Sequence, residues 1–215
     1  MWKRILLLFA VGFVLAAAAT EIGQWAPYKE PRIAAAVGAF DSNIGCVTTT
    51  DQGNIPCVKG QDVEVRLYRG LGGRFWGCGV DCIAESAARQ CGVRTYVGSH
   101  WGGDTIPPSE RLVIVGASMG GDKATEVAAA EGLKGRKVDL LLTIDPVPWT
   151  DPKPRNVVDH INWHNTVPGQ LGGGTPPGTV KTADIAVNMW HVPLINSKLV
   201  HDRAVKEICS YVTGG

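Results

Sequence analysis

The segment Gly116-Ala117-Ser118-Met119-Gly120 places a serine between two glycines in a G-x-S-x-G pattern. It follows an apolar run and precedes a stretch of small residues that is typical of a helix. A serine on a sharp strand-to-helix turn has its hydroxyl raised above the sheet, near a helix N-terminus that favours negative charge. The pattern therefore predicts a nucleophile at Ser118, with an ordinary glycine turn as the alternative.

A serine hydroxyl is a weak nucleophile near neutral pH and needs a base, which is usually oriented by an acid. After a turn of this type the acid and then the histidine follow along the chain. Asp145 ends the apolar stretch 138–144 and is the predicted acid, because the carboxyl ends of parallel strands gather catalytic groups. An aspartate that only turns the chain before Pro146 is the alternative, and Asp159 and Asp184 are the fallback acids.

Two late histidines qualify as the base. His191 falls in the segment after the last predicted strand, whereas His201 falls inside a predicted closing helix. A histidine on a connecting segment reaches the serine more easily than one packed in a helix, so His191 is favoured. His160 and His164 share one face of a predicted strand, but no third ligand accompanies them, and no metal or other cofactor is predicted.

The negative charge of a tetrahedral intermediate needs two backbone N–H donors. One comes from the residue after the nucleophile, Met119, and the other from the loop after an early strand. The glycine-rich segment 69–73 is that loop, and Leu71 is the predicted donor. An ordinary strand-to-helix turn is the alternative interpretation of these glycines.

Strands alternating with helices must position these residues. The hydrophobic pattern predicts strands over 63–68, 93–97, 111–116, 138–144, 157–163 and 180–187. It predicts helices over about 80–90, from just after Gly121 to about Glu131, and over 198–211. This alternation is typical of βαβ units and a mainly parallel sheet.

Four segments resemble small bacterial α/β-hydrolases of the lipase and thioesterase kind: Tyr68-Arg69-Gly70-Leu71-Gly72, Val113-Ile114-Val115-Gly116-Ala117-Ser118-Met119-Gly120, Leu142-Thr143-Ile144-Asp145-Pro146, and the late pair His191 and His201. The resemblance runs from Val63 to the C-terminus. It implies an α/β-hydrolase-like three-layer fold, a mainly parallel sheet flanked by helices, and a triad of Ser118, Asp145 and His191. Lipase-like members often carry His-Gly in the oxyanion loop, where this chain has Arg69-Gly70.

The N-terminal segment predicts export. Two basic residues precede an apolar run over 5–19 that ends in small residues, which is typical of a signal peptide. We expect a signal peptide or retained anchor over 1–20, an extension over 21–60 and the hydrolase domain over 61–215. The protein would then be periplasmic or secreted, with a membrane-anchored form as the alternative.

Charge and cysteines narrow the function further. Without residues 1–20 the 21 basic residues become 19 against 20 acidic ones, which gives no support for nucleic-acid binding. Six cysteines in an exported chain suggest disulfides, but they allow 15 pairings; Cys46–Cys57 is the best single choice, with free buried cysteines as the alternative.

The sequence thus predicts a serine hydrolase that cleaves carboxylic esters or thioesters through an acyl-enzyme. Its partner would be a small-molecule or lipid-like acyl substrate, with membrane contact only if the N-terminal segment is retained. An amidase or peptidase with the same triad is one alternative. A non-catalytic, envelope-associated binding module on the same fold is the other.

Overall fold

The computed structural model describes residues 63–101, 109–147, 154–167 and 182–213. The expected signal peptide or anchor, the extension over 21–60 and the Cys46–Cys57 pair lie outside these ranges. Within them, no helix has the length and hydropathy required to cross a membrane.

A six-stranded sheet forms the centre of the described part, and every neighbouring pair of its strands is parallel. The spatial order is β2-β1-β3-β4-β5-β6. Because all strands run the same way, their carboxyl ends meet at one edge. The strands are β1 Val63–Arg69, β2 Arg94–Ser99, β3 Arg111–Ala117, β4 Val138–Ile144, β5 Val157–Asn165 and β6 Thr182–Val187.

Helices cover both faces of this sheet, and their bounds are α1 Arg74–Cys91, α2 Met119–Leu133, α3 His191–Ile195 and α4 Lys198–Thr213. Val65 and Leu67 of β1 belong to a large buried cluster shared with α1 and α4. Tyr68, on the opposite face of β1, packs in a second cluster with residues of α2. The three layers confirm the predicted α/β-hydrolase-like fold.

The strand β1 carries charged residues on a face that is nonetheless buried. Its alternation of apolar and polar residues is typical of a strand with one face in water, yet all seven residues are buried. Arg66 is paired with Glu64, and its Nη1 donates to Oε1 of Glu131 in the last turn of α2 at 3.1 Å. Charged side chains are tolerated in the interior when each is paired with an opposite charge. The contacts of Arg66 with Glu64 and Glu131 therefore replace those that water would make.

The helix α1 begins six residues earlier than the predicted start at Val80. Gly77 and Gly79 lie in this earlier part of the helix, although glycine disfavours helix interiors. A β-carbon on Gly79 would lie 2.3 Å from the carbonyl oxygen of Ile195 and 2.4 Å from Nε2 of His201. Gly79 therefore permits close packing of α1 against the end of α3 and the first turn of α4.

A disulfide between Cys91 and Cys209 joins the last residue of α1 to α4. The two cysteines are 118 residues apart in the chain, while their Cα atoms are 5.3 Å apart. Cys78 carries a free thiol. The pairing depends on the packing of the two helices, which is why the sequence left it undetermined.

Candidate active site

Ser118 occupies a strained turn between β3 and α2. Its backbone has φ 55° and ψ −126°, a conformation that non-glycine residues rarely adopt. The Ser118 N–H donates to the carbonyl of Ile144 at the end of β4 (2.9 Å), and the Gly121 N–H donates to the carbonyl of Ser118 (2.9 Å). The adjacent strand and the first turn of the helix thus hold the serine in place.

The two glycines of the G-x-S-x-G pattern are required by close contacts. A β-carbon on Gly116 would lie 2.1 Å from the carbonyl oxygen of Gly120. A β-carbon on Gly120 would lie 2.1 Å from the carbonyl oxygen of Tyr68 in β1. Any side chain at either position would push α2 away from the sheet, and the turn at Ser118 would open.

A histidine and an aspartate form a continuous hydrogen-bonded series with this serine. His191 Nε2 lies 2.9 Å from Ser118 Oγ, and His191 Nδ1 lies 2.6 Å from Asp145 Oδ2. With Nδ1–H donated to the carboxylate, Nε2 of the neutral ring is the acceptor for the serine hydroxyl. The imidazole is 17% exposed. It can therefore take the serine proton while remaining accessible to a substrate.

His191 is the first residue of the short helix α3, whereas the sequence placed it in a loop. Pro193 lies in the first turn of this helix, where proline is tolerated because the N–H groups have no intrahelical partners. Asn196 is the C-cap that follows α3, and its side-chain oxygen accepts a hydrogen bond from the Gly79 N–H of α1 (2.9 Å). The histidine is thus carried on a segment attached to α1.

Asp145 follows β4 and is completely buried. Its backbone φ is 47°, and its N–H donates to the carbonyl of Trp163 in β5 at 2.6 Å. Its carboxylate accepts hydrogen bonds from Asn165, which the sequence analysis missed. The missed signal was an amide at the carboxyl end of the next strand, because the predicted β5 stopped two residues earlier at Trp163.

The glycine-rich segment after β1 lies directly beside the serine. A β-carbon on Gly70 would lie 2.7 Å from Ser118 Cβ and 3.2 Å from Ser118 Oγ. Gly72 and Gly73 have φ of 82° and 52°, and the Gly73 N–H donates to the carbonyl of Gly70 (3.2 Å). The expected donor Leu71 is thus within a tight turn that flanks Ser118.

The other expected donor, Met119, is the first residue of α2. Backbone N–H groups in the first turn of a helix have no partner within that helix. This N–H therefore belongs to the set that can serve a ligand at the helix N-terminus.

Arg69, the residue before this turn, makes a two-pronged ion pair with Asp81 of α1. Its Nε lies 2.9 Å from Asp81 Oδ2, and its Nη2 lies 2.5 Å from Asp81 Oδ1. Arg69 is buried, and its guanidinium is directed at α1. We conclude that Arg69 fastens the turn to the helix.

The alternative acids and base make contacts elsewhere. Asp159, inside β5, accepts a hydrogen bond from Tyr211 of α4. Asp184, inside β6, accepts from Asn162 and pairs with His164. His201 Nε2 donates to the carbonyl of Ile195 at 3.1 Å. These contacts are to structural partners and do not involve Ser118.

The histidine pair on β5 has separate partners. His160 Nε2 lies 2.8 Å from Thr143 Oγ1, whose hydroxyl donates to Asn162 Oδ1 (2.8 Å), and His164 Nδ1 lies 2.9 Å from Asp184. In the part of the chain that the structure describes, no group of three or more metal-ligating side chains is assembled.

Comparisons with protein-family models and with curated proteins find no match for this sequence. Among solved structures, the chain is similar to a hormone-sensitive lipase from a metagenome library, with 14% identity, a TM-score of 0.49, and coverage of 92% of this chain and 96% of that one. It is also similar to EstE7, a hormone-sensitive lipase homologue from a metagenome library, with 13% identity, a TM-score of 0.48, and coverage of 95% of this chain and 97% of that one. A third similar structure is the RedJ thioesterase of prodiginine biosynthesis from Streptomyces coelicolor, with 10% identity, a TM-score of 0.44, and coverage of 86% of this chain and 97% of that one.

Proposed function

We propose that this protein is a serine hydrolase that cleaves carboxylic ester or thioester bonds through an acyl-enzyme. The observation that carries the proposal is the hydrogen-bonded series from Ser118 through His191 to the buried Asp145. It lies at the carboxyl edge of a parallel sheet, where such folds bind their ligands. A serine, an imidazole and a carboxylate in this geometry are the parts required for acyl transfer.

In the first half of the reaction, His191 Nε2 removes the Ser118 proton as Oγ attacks the substrate carbonyl carbon. The negative charge that develops on the carbonyl oxygen is received by the backbone N–H groups of Leu71 and Met119. The protonated imidazole then gives its proton to the departing alcohol or thiol. The C–O or C–S bond breaks, and the acyl group remains on Ser118.

In the second half, water replaces the leaving group. His191 removes a proton from this water as its oxygen attacks the acyl carbon. Collapse of the second tetrahedral intermediate returns the proton to Ser118 Oγ and releases the carboxylic acid. Asp145 holds Nδ1–H throughout, which keeps Nε2 directed at the serine and stabilises the transient imidazolium.

The proposed substrate is a small-molecule or lipid-like acyl ester or thioester. The basic and apolar N-terminal segment supports a place of action in the periplasm or outside the cell. No metal or organic cofactor has a role in this scheme, since all proton transfers pass through His191.

The decisive experiment combines covalent labelling with turnover. The wild-type protein should react with a fluorophosphonate probe and hydrolyse p-nitrophenyl esters, and Ser118→Ala should do neither. Esters of increasing chain length, acyl-CoA thioesters and anilides compared in one panel would define the preferred bond. A folded protein that neither labels nor hydrolyses any of these substrates would exclude the proposal and favour the binding module.

A further inference from the structure

We propose that Asn165 is a positioning residue that sets the direction from which Asp145 meets His191. This inference rests on the proposed function. The Asn165 N–H donates to Asp145 Oδ1 at 3.0 Å, and Asn165 Nδ2 donates to Oδ1 at 2.9 Å and to Oδ2 at 2.7 Å. One residue therefore contacts both oxygens of the carboxylate that holds the imidazole.

The two oxygens of the Asp145 carboxylate have different sets of hydrogen-bond donors. Oδ1 receives the backbone and side-chain N–H groups of Asn165, whereas Oδ2 receives the side chain and also His191 Nδ1. A carboxylate with both oxygens held cannot rotate about its Cβ–Cγ bond without losing hydrogen bonds. Because Asp145 is fully buried, water is not at hand to replace those bonds, and losing them costs free energy.

The support comes from the sheet rather than from a loop. Asn165 is the last residue of β5, and its register partner is Val187 in β6. Next to it, the Thr166 N–H donates to the carbonyl of Val187 at 3.1 Å, so the strand end is fixed on its far side. Positioning groups on regular elements hold a site more accurately than groups on loops.

Loss of the amide should slow the chemical step and leave binding largely unchanged. Without Asn165 Nδ2, the Asp145 carboxylate can turn, and His191 spends less time with Nε2 directed at Ser118. Groups that orient a metal-ligating side chain typically change activity by about 10–100-fold when removed, and we expect an effect of the same size for a group that orients Asp145. We expect Asn165→Ala to lower kcat and the rate of fluorophosphonate labelling by about that factor, with KM within about two-fold.

A matched control exists on the same strand. Asn162 is also held by two side chains, Thr143 and Asp184, but it makes no contact with Asp145 among the bonds described. Asn162→Ala removes comparable hydrogen bonds from β5, so both variants should lower the melting temperature. Per folded molecule, only Asn165→Ala should lose labelling rate.

A double-mutant cycle tests whether Asn165 acts through Asp145. In an Asp145→Asn background, Asn165→Ala should cost less than about two-fold, because the carboxylate that it orients is gone. A further loss of 10-fold or more in that background would overturn the proposal, since it would mean that Asn165 acts by another route.

Proton NMR separates this inference from the proposed function. The His191 Nδ1–H that is donated to Asp145 should give a low-field resonance in the resting wild-type protein, absent in His191→Gln. It should shift or broaden in Asn165→Ala and stay in place in Asn162→Ala. Failure of the wild type to label refutes the hydrolase proposal, whereas an unchanged resonance in Asn165→Ala refutes the positioning role.

Discussion

Gly70 and Ser118 lie so close together that a β-carbon on the glycine would be 2.7 Å from the serine's own β-carbon. Gly70→Ala should therefore separate the turn at Leu71 from the nucleophile and lower kcat/KM by about 10²–10³-fold, the effect of losing one oxyanion donor. Gly98→Ala is the control, because its β-carbon would meet Tyr68 at an ordinary 3.4 Å. Steady-state kinetics on one p-nitrophenyl ester decides between them, and equal activity of the two variants would contradict this role of the turn.

The two late histidines should differ in what they support. His191→Gln should lower kcat by at least about 10³-fold, because in the proposed mechanism the ring takes the Ser118 proton. His201→Gln should keep its activity per folded molecule but lose about 1–2 kcal/mol of stability through its bond to Ile195. Kinetics and urea unfolding of both variants provide the test, and inactivity of folded His201→Gln would contradict the assignment.

Gly79→Ala should affect both stability and activity. The added methyl group would lie 2.3 Å from the Ile195 carbonyl oxygen, so α1 and the end of α3 must move apart. Overpacking of this kind costs about 1–3 kcal/mol, or a fall in Tm of roughly 3–10 °C for a chain of this length. Since α3 begins with His191, kcat should fall as well.

Gly135→Ala provides the comparison for that variant. No atom lies within 4 Å of its β-carbon position, and only its φ of +78° opposes a side chain. It should lower Tm slightly and leave kcat unchanged. Differential scanning calorimetry with esterase kinetics separates the two effects, and an unaltered Tm in Gly79→Ala would show that the helices adjust without cost.

The cluster around Glu131 predicts acid sensitivity. Burial opposes ionisation of Glu131, but hydrogen bonds from Lys134 and Arg136 and the charge of Arg66 outweigh it and lower its pKa to about 2. Because the folded pKa is below the ordinary value of about 4.3, ionised Glu131 stabilises the fold above that pH. This stabilisation, up to about 3 kcal/mol, should disappear as the pH falls from about 4.3 to about 2.

Glu131→Gln tests this pH window. The variant should be less stable than the wild type at pH 7, because Arg66 loses one of its two carboxylate partners. The difference in unfolding free energy should shrink as the pH falls below about 4.3, where the wild-type carboxylate takes up its proton. Urea titrations between pH 2 and 7 measure it, and a constant difference would contradict the low pKa.

Removal of the Cys91–Cys209 disulfide should destabilise the fold without slowing catalysis. The bond closes a separation of 118 residues, for which chain entropy predicts a loss of about 4–5 kcal/mol. The Cys91→Ser/Cys209→Ser variant should melt at a lower temperature and retain its kcat at 25 °C. Cys78→Ser should melt close to the wild type, because Cys78 is in no disulfide and a serine hydroxyl can also donate to Asn196 Oδ1, as the thiol does at 3.4 Å. Identical melting curves for all three proteins would contradict the prediction.

Local patterns in the sequence were sufficient to predict the strands and the turn at Ser118. The glycines at positions 116 and 120 flank the serine in the chain, so their steric role is visible without coordinates. The apolar runs of β3 and β4 also indicated parallel strands buried on both faces, as the structure confirms.

Features that depend on contacts between distant segments were missed. The early start of α1 is stabilised by packing of Gly79 against α3 and α4, which no local pattern encodes. Asn165 contacts Asp145 only because β5 pairs with β4 and extends beyond Trp163. The burial of Glu64 and Arg66 has no local signal, since Arg66 also pairs with Glu131, which is 65 residues away.

The helix α2 separates the region around Ser118 from the ion cluster around Glu131. It starts beside Ser118 and, over 15 residues, carries Glu131 about 20 Å away to the opposite rim of the sheet. Protein engineers can therefore work on the two rims independently: substitutions around Glu131 would adjust tolerance to acid and heat, while those around the serine would adjust rate and substrate range. The free-energy changes from substitutions in the two regions should be almost additive, because residues that far apart seldom influence each other.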